Sequence, residues 1–306
     1  MNIVFAGSPH ISAEILEKLH FEGFNIPLVI SQPDKRSKRG KQPELSEVSK
    51  KATELGLNLI KPVNIEDPTF RSKLEALNID FLIVSAYGKI LPKWMLNIPS
   101  KMSINIHFSL LPKYRGASPI QAALLNGDSK TGISFIKMNE YMDEGDLINT
   151  FSISIQPDEN KFTLEKKLSG LAADNIGETI SQINSGDFVL KKQNEAGASY
   201  CKKINKADGE IDFNESSLSI YNKFRAYYGW PGSYFLYKNI HVKVHEMKEY
   251  KEPCSGKPGQ IIEISKLGLI IKTIDSAIVI TYLQLPNKKI ISSEDVRNSY
   301  FDFFSD

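Results

Sequence analysis

The 306-residue chain is 41% hydrophobic and 24% charged, enough for a packed core and unlike a disordered acidic or low-complexity chain. Its 38 basic and 36 acidic residues leave a formal charge of +2, so it is not a basic nucleic-acid coat and any cationic partner surface must be local. Two isolated cysteines, Cys201 and Cys254, exclude a disulfide framework, no apolar run approaches the roughly 20 residues of a membrane span, and the opening MNIVFAGSPH reads as a strand rather than a secretion signal; a cytoplasmic protein is expected.

Ile3 to Ala6, a turn at Gly7-Ser8-Pro9 and an amphipathic stretch through Ile11, Ile15, Leu16 and Leu19 form a βα unit. Pro27 to Ile30 predicts a second strand, followed by a polar loop and a helix around Val48 to Leu55. Phe81 to Val84 is apolar at consecutive positions, as a strand covered on both faces requires. This alternation implies an α/β domain built on a mostly parallel, Rossmann-like sheet. Further strands are expected at Met102 to Ile106, Ile133 to Met138 and Leu147 to Ile155. A helix over Phe162 to Ile183, with apolar positions three to five apart, should close the first domain. Residues 191–208 hold five Lys against two acidic residues and few aliphatics, the texture of a surface linker. Ser219 to Tyr228 predicts a short helix. Strands follow at Tyr234 to Tyr237, Ile240 to Met247, Gln260 to Ile264, Leu269 to Ile274 and Ala277 to Leu283, a spacing that suits a small closed or nearly closed β-barrel. The expected boundaries are 1–188 for a catalytic domain, 189–208 for a linker and 209–306 for the barrel.

The most informative stretch runs from Ser103 to Gln121, SINIHFSLLPKYRGASPIQ. Strand alternation puts Asn105 and His107 on one face and Ile104 and Ile106 on the other. An amide and an imidazole thus leave the end of a strand together, where open parallel sheets bind ligands. Arg115-Gly116 can bring a cation or a bare backbone to a ligand. Asp143, in the MDEGD loop, can orient the imidazole of His107 and raise its pKa if the two loops are adjacent. Amide, imidazole and carboxylate then suit acyl or one-carbon transfer: the amide donates to a developing oxyanion, the imidazole moves a proton and the carboxylate fixes the tautomer. Two plainer readings stay open, a strand histidine that is merely hydrogen-bonded and a solvated acidic turn at Asp143, Glu144 and Asp146.

Other patterns carry less. The first βα turn lacks the G-x-G-x-x-G glycines of dinucleotide sites, and no P-loop is present. His241 and His245 have the spacing of helical zinc ligands, but HVKVH alternates as a strand does, and no metal is expected. QPDKRSKRGKQPE places Lys35, Arg36, Lys38, Arg39 and Lys41 within seven positions. Such a run is either a solvated loop or, at the carboxyl edge of a parallel sheet, a grip on phosphates.

NIHFSLLPKYRG followed by MDEGD resembles the signature of the folate-dependent formyltransferases. The AGSP opening, QPDKRSKRGK, GASPIQAALLNGD, and KINKADGEIDF leading to FRAYYGWPGSYF are similar to the branch that acts on methionyl-tRNA. The resemblance implies a Rossmann-like domain, a linker and an OB-like barrel, and transfer of formyl from 10-formyltetrahydrofolate to the amino group of initiator methionyl-tRNA. It places Asn105, His107 and Asp143 on the family's catalytic triad and Ser109, Leu110, Leu111 and Pro112 on its folate-binding segment. Ala86, Tyr87 and Gly88 are expected beside them in the folate crevice. Lys35, Arg36, Lys38, Arg39 and Lys41 fall on the tRNA-binding loop, with Arg39 foremost. The implied partners are the tRNA and the folate co-substrate, with no membrane and a monomeric enzyme. Residues 209–306 carry 12 basic and 12 acidic residues, so the barrel is not cationic overall. The rival enzyme is a sugar-nucleotide N-formyltransferase, which shares the catalytic core; the rival from another class is a folate- or RNA-binding module without chemistry.

Overall fold

A computed structural model describes residues 1–34 and 44–305. The chain divides into two compact units, one formed by Met1–Pro119, Lys130–Ser154 and Leu164–Lys202, the other by Ile120–Ser129, Ile155–Thr163 and Lys203–Asp306.

The first unit opens with β1 (Asn2–Gly7), α1 (His10–Phe21), β2 (Asn25–Ile30), α2 (Glu47–Glu54), β3 (Leu59–Ile60), α3 (Pro68–Glu75), β4 (Phe81–Ser85), α4 (Lys93–Leu96) and β5 (Met102–His107). There follow β6 (Arg115–Gly116), α5 (Pro119–Leu125), which falls almost wholly to the second unit, β7 (Lys130–Lys137), β8 (Leu147–Ser154), α6 (Lys161–Ser185) and β9 (Tyr200–Cys201). The main sheet has the order β3-β2-β1-β4-β5-β7-β8. Pairing is parallel from β3 to β5 and antiparallel at β5–β7 and β7–β8, as a mostly parallel sheet with an antiparallel edge. All five residues of β4 are buried, which is why that run shows no alternation. Along α6, Leu164, Leu168, Ala172, Ile176 and Ile180 recur every four residues on the buried face, and Ser169 Oγ donates to Ile11 O of α1 at 3.1 Å.

The strand order winds outward through β1, β2 and β3, then returns to the other side of β1 with β4. That reversal is the switch point at which open α/β sheets hold ligands, beyond the strands' carboxyl ends. Ser12 Oγ ties the two central ends together by donating to Ser85 O at 2.6 Å. β5 runs beside β4 in parallel register, with Asn105 opposite Val84.

In the second unit α7 (Ser217–Ala226) precedes β10 (Ser233–Tyr237), β11 (Ile240–Tyr250), β12 (Ile261–Ile264), β13 (Leu269–Lys272), β14 (Ala277–Gln284), β15 (Ile291–Ser292), α8 (Ser293–Ser299) and α9 (Phe301–Phe304). The strands form one antiparallel sheet, β10-β11-β14-β13-β12 with β15 on β14. Its core gathers Ile220, Phe235, Val242, Leu269, Ile278, Ile280, Val296 and Phe304. Lys238 and Asn239 have φ of 48° and 62°, the left-handed pair that a tight hairpin requires. No ladder among the described residues joins β10 to β12, so the sheet is open in its hydrogen bonding. Short elements with one or two buried apolar residues, α3 and α8 among them, lie outside the sequence-based expectations; Asp67 and Ser292 cap them by accepting from Thr69 N and Asp295 N. Among the described residues no helix is long and apolar enough to cross a membrane.

Candidate active site

The site is built from the end of β5. Ile104 and Ile106 are fully buried on one face, while Asn105 and His107 leave the other, as alternation requires. Beyond His107 the chain is fastened to β7: Ser134 Oγ donates to Ser109 O at 2.7 Å and accepts from Leu111 N at 3.0 Å. Ser109 Oγ closes the turn by donating to Lys113 O at 2.6 Å. Ser109 is buried, whereas Leu110 and Pro112 are partly open. The segment Ser109–Pro112 therefore leaves Leu110 and Pro112 accessible, buries Leu111 and keeps its hydroxyl for structure.

Asp143 enters from the loop between β7 and β8 in a left-handed conformation, φ 58°. One carboxylate oxygen, Oδ1, accepts from Asn105 Nδ2 at 3.1 Å and lies 3.5 Å from His107 Nδ1; the other, Oδ2, accepts from Gly116 N at 2.8 Å. The second ring nitrogen of His107, Nε2, is 2.9 Å from Tyr114 O. A carbonyl oxygen can only accept, so Nε2 carries a proton and Nδ1 is the nitrogen able to take another. Asn105, His107 and Asp143, widely separated in sequence, thus meet, and the plainer reading of Asp143 as a solvated turn does not describe it.

Of the two alternatives at Arg115-Gly116, the structure takes the backbone one. The Arg115 side chain is fully buried. The guanidinium donates to both carboxylate oxygens of Glu195 at 3.0 and 2.7 Å, to Gln193 Oε1 at 3.1 and 2.9 Å, and to Tyr200 OH at 3.2 Å. The Glu195 contacts hold the arginine above its usual pKa and the glutamate below its own. The bare backbone of Gly116 is what reaches the site. Its φ is 119°, and a Cβ there would lie 2.3 Å from Cys201 O of the paired strand β9, so only glycine fits. Gln193, Glu195 and Tyr200 lie in the segment expected as a linker; long-range polar contacts have no sequence period, and nothing in that segment's composition marks them.

The Ala86-Tyr87-Gly88 turn follows β4, beside the end of β5. Ala86 and Gly88 are exposed with φ of 44° and 76°. Tyr87 differs: its ring is buried in the cluster with Leu28, Phe70 and Met95, and its hydroxyl has no hydrogen-bond partner among the described residues. Burial pushes that phenol up to about 12. Only its carbonyl is engaged, accepting from Gln32 Nε2 at 2.6 Å. The phenol is therefore core, and a ligand beside this turn meets backbone. Lys35, Arg36, Lys38, Arg39 and Lys41 lie outside the described residues. In the second unit, a cleft of about 650 Å³ is lined by Lys206, Tyr228, Tyr234, His241, Lys243 and His245 among others. His241 packs its ring on Tyr234 at 4.6 Å and His245 Nε2 lies 3.2 Å from Gln284 Oε1, so the two histidines hold separate partners rather than one ion. Among the described residues no group of three His, Cys, Asp or Glu side chains could hold a metal.

The sequence profile of the formyl transferase family matches residues 1–180, and that of the formyl transferase C-terminal domain matches residues 203–300. The chain belongs to the formyl transferase family. This family member is 38% identical over 289 residues to the methionyl-tRNA formyltransferase of Clostridioides difficile (strain 630), covering 94% of each chain. It is 40% identical to those of Finegoldia magna and Caldicellulosiruptor saccharolyticus, covering 97% and 98% of this chain and 96% and 97% of theirs. Its fold is shared with the N-formyltransferase from Helicobacter canadensis, solved with folinic acid and dTDP-3-aminofucose, at a TM-score of 0.68 and 19% identity over 91% of this chain and 98% of that one. It is shared too with HypX from Aquifex aeolicus in complex with tetrahydrofolic acid, at a TM-score of 0.66 and 16% identity over 98% of this chain and 47% of that one.

Proposed function

We propose that this formyl transferase moves a formyl group from 10-formyltetrahydrofolate to the amino group of initiator methionyl-tRNA, acting as a cytoplasmic monomer. The observation that carries this reading is the meeting of Asn105, His107 and Asp143 at the carboxyl end of β5, in a chain alike over nearly its whole length to methionyl-tRNA formyltransferases. We assign the reacting groups to residues 1–188 and the tRNA contacts to the basic loop, residues 189–208 and the barrel of 209–306. The folate fits the turns after β4 and β5: Ala86 and Gly88 leave backbone accessible, and Leu110 and Pro112 offer an apolar wall to a flat pterin.

The folate co-substrate supplies the formyl carbon. A C–N bond forms between the methionine amine and that carbon, the bond from the carbon to the folate nitrogen breaks, and the amine's proton ends on the departing nitrogen. Asn105 Nδ2 spends one hydrogen on Asp143 and has a second for the developing oxyanion. His107 Nδ1 takes the proton, is held as the imidazolium by Asp143 Oδ1 3.5 Å away, and returns the proton to the departing nitrogen. No covalent formyl-enzyme is needed.

Arg39, with Lys35, Arg36, Lys38 and Lys41, grips the acceptor end of the tRNA. The cleft of the second unit concentrates Lys206, Lys243 and two histidines beside tyrosine rings within a domain of balanced charge, a combination suited to a phosphate backbone. The test offers labelled 10-formyltetrahydrofolate with charged initiator tRNA or with an amino-sugar nucleotide. Label on the tRNA supports the reading; label on the sugar alone replaces it. Arg39→Ala should weaken use of the tRNA with folate affinity intact, and Arg39→Lys should also be damaging, because an ammonium cannot make the bidentate contact. Each lost phosphate contact should flatten the salt dependence of log affinity by roughly one unit.

A further inference from the structure

We infer that Gln193 is a positioning residue for the proposed transfer, the centre of a latch in which Glu195 and Arg115 hold Gln193 and Gln193 holds the main chain of the Asp143 loop; the inference rests on the function proposed above. Gln193 is almost wholly buried and uses both ends of its amide. Nε2 donates to Asp143 O and to Gly145 O, both at 2.8 Å. Oε1 accepts from Arg115 Nε and Nη2 at 3.1 and 2.9 Å. The amide cannot turn over. A guanidinium has only donors and the two loop carbonyls only acceptors, so one orientation satisfies every contact.

The same two-residue strand acts on Asp143 twice. Gly116 N fixes the carboxylate through Oδ2, and the Arg115 side chain, through Gln193, fixes the backbone on either side of Glu144. A buried guanidinium without a counter-charge is costly, and Glu195 neutralises it with a two-oxygen contact. Asp143 needs this restraint because it sits at positive φ, a conformation that persists when its surroundings over-determine it. A carboxylate misplaced by about 1 Å costs on the order of a hundredfold in rate. Gln193 touches no reacting group in this arrangement and acts through Asp143.

The test compares Gln193→Glu and Gln193→Met in the full chain. The glutamate keeps an acceptor for Arg115 but loses the donors to the loop; the methionine matches the length and loses both. Measured are kcat and KM for folate and methionyl-tRNA, thermal unfolding, and hydrogen exchange of the amides of residues 139–146. The expected result is a kcat lowered about 10- to 100-fold in both variants, with KM within about threefold. Loop exchange should be at least tenfold faster while exchange in β5 and β7 is unchanged. A residue that only fills space and holds Arg115 would be restored by Gln193→Glu, and its loss would lower stability with wild-type kcat and loop exchange. Wild-type kcat in Gln193→Glu, or wild-type loop exchange in either variant, overturns the latch. If the unmodified protein fails to formylate methionyl-tRNA, the functional reading fails, and the exchange comparison alone decides the latch.

Discussion

Replacing Gly116 by alanine should damage catalysis as well as stability. A Cβ at this position would stand 2.3 Å from Cys201 O, and real Cβ contacts stop near 3.0 Å, so β6 and β9 must part by about 0.7 Å. Gly116 N moves with its strand, and its 2.8 Å bond to Asp143 Oδ2 stretches to about 3.5 Å, outside hydrogen-bonding range. Losing a bond to a charged group costs about 1.5–3 kcal/mol. Holding alanine near φ 119° adds about 1–3 kcal/mol. A total of about 2.5–6 kcal/mol lowers the melting temperature by roughly 5–24 °C for a domain of this size. Displacement of the carboxylate on the 1 Å scale should lower kcat about a hundredfold. Formyl transfer to charged tRNA and thermal unfolding measure the two effects, with Gly170→Ala in α6 as the control, since a Cβ there meets nothing within 4 Å. A Gly116→Ala protein within twofold of wild-type kcat would refute the link from the β6–β9 pair to Asp143.

Asn105→Ala and His107→Ala should each fold normally and lose about 10²–10³ in kcat, as expected for removing an oxyanion donor or its proton partner; near-normal turnover in single-turnover assays would take that residue out of the mechanism. Tyr87→Phe removes a buried hydroxyl that has no partner among the described residues, so stability should be unchanged or rise by about 1 kcal/mol, with folate affinity unaltered by calorimetry. Weaker folate binding would show the phenol reaching the ligand after all. Arg115 holds the Glu195 carboxyl below its ordinary value of 4.5, so the stability this pair adds is complete above that value and is lost as the pH falls through the lowered folded one. Glu195→Gln should therefore be less stable than wild type in denaturant at neutral pH, with the gap closing in acid; a gap that is constant with pH would contradict the pairing.

The pairing of Asn105 with His107 was legible because strand alternation is a backbone property, and the apolar run of β4 announced a strand covered on both faces. Asp143 could be placed because a glycine-bearing turn after a strand narrows where the chain goes. Arg115-Gly116 left open whether a cation or a bare backbone reaches the site, and only the fold decides, with Glu195 closing over the guanidinium and Gly116 N on Asp143. That the Tyr87 ring points into the core, leaving backbone at the turn, also waits on the fold. Gln193 left no trace, because one amide meeting two carbonyls about fifty residues away obeys no periodicity. In the second unit, Lys206, outside the range 209–306, and Lys243 line one cleft that a charge total over that range does not show.

The β6–β9 pair also sets an order of events during synthesis. Every strand of the main sheet has been made by Ser154, yet the partner of β6 arrives only at Tyr200 and Cys201. A nascent chain halted between these points can complete its sheet and lay Asn105 and His107 side by side, while the carboxylate loop lacks Gln193 and Gly116 lacks its neighbouring strand. Folding from the amino terminus as the chain emerges would thus yield an ordered but idle half-product. The Asp143 loop would gain its restraint over the few residues from 193 to 201, so ribosome-bound chains arrested on either side of that window should differ in the exchange of residues 139–146 and scarcely at all in the protection of β1, β4 and β5.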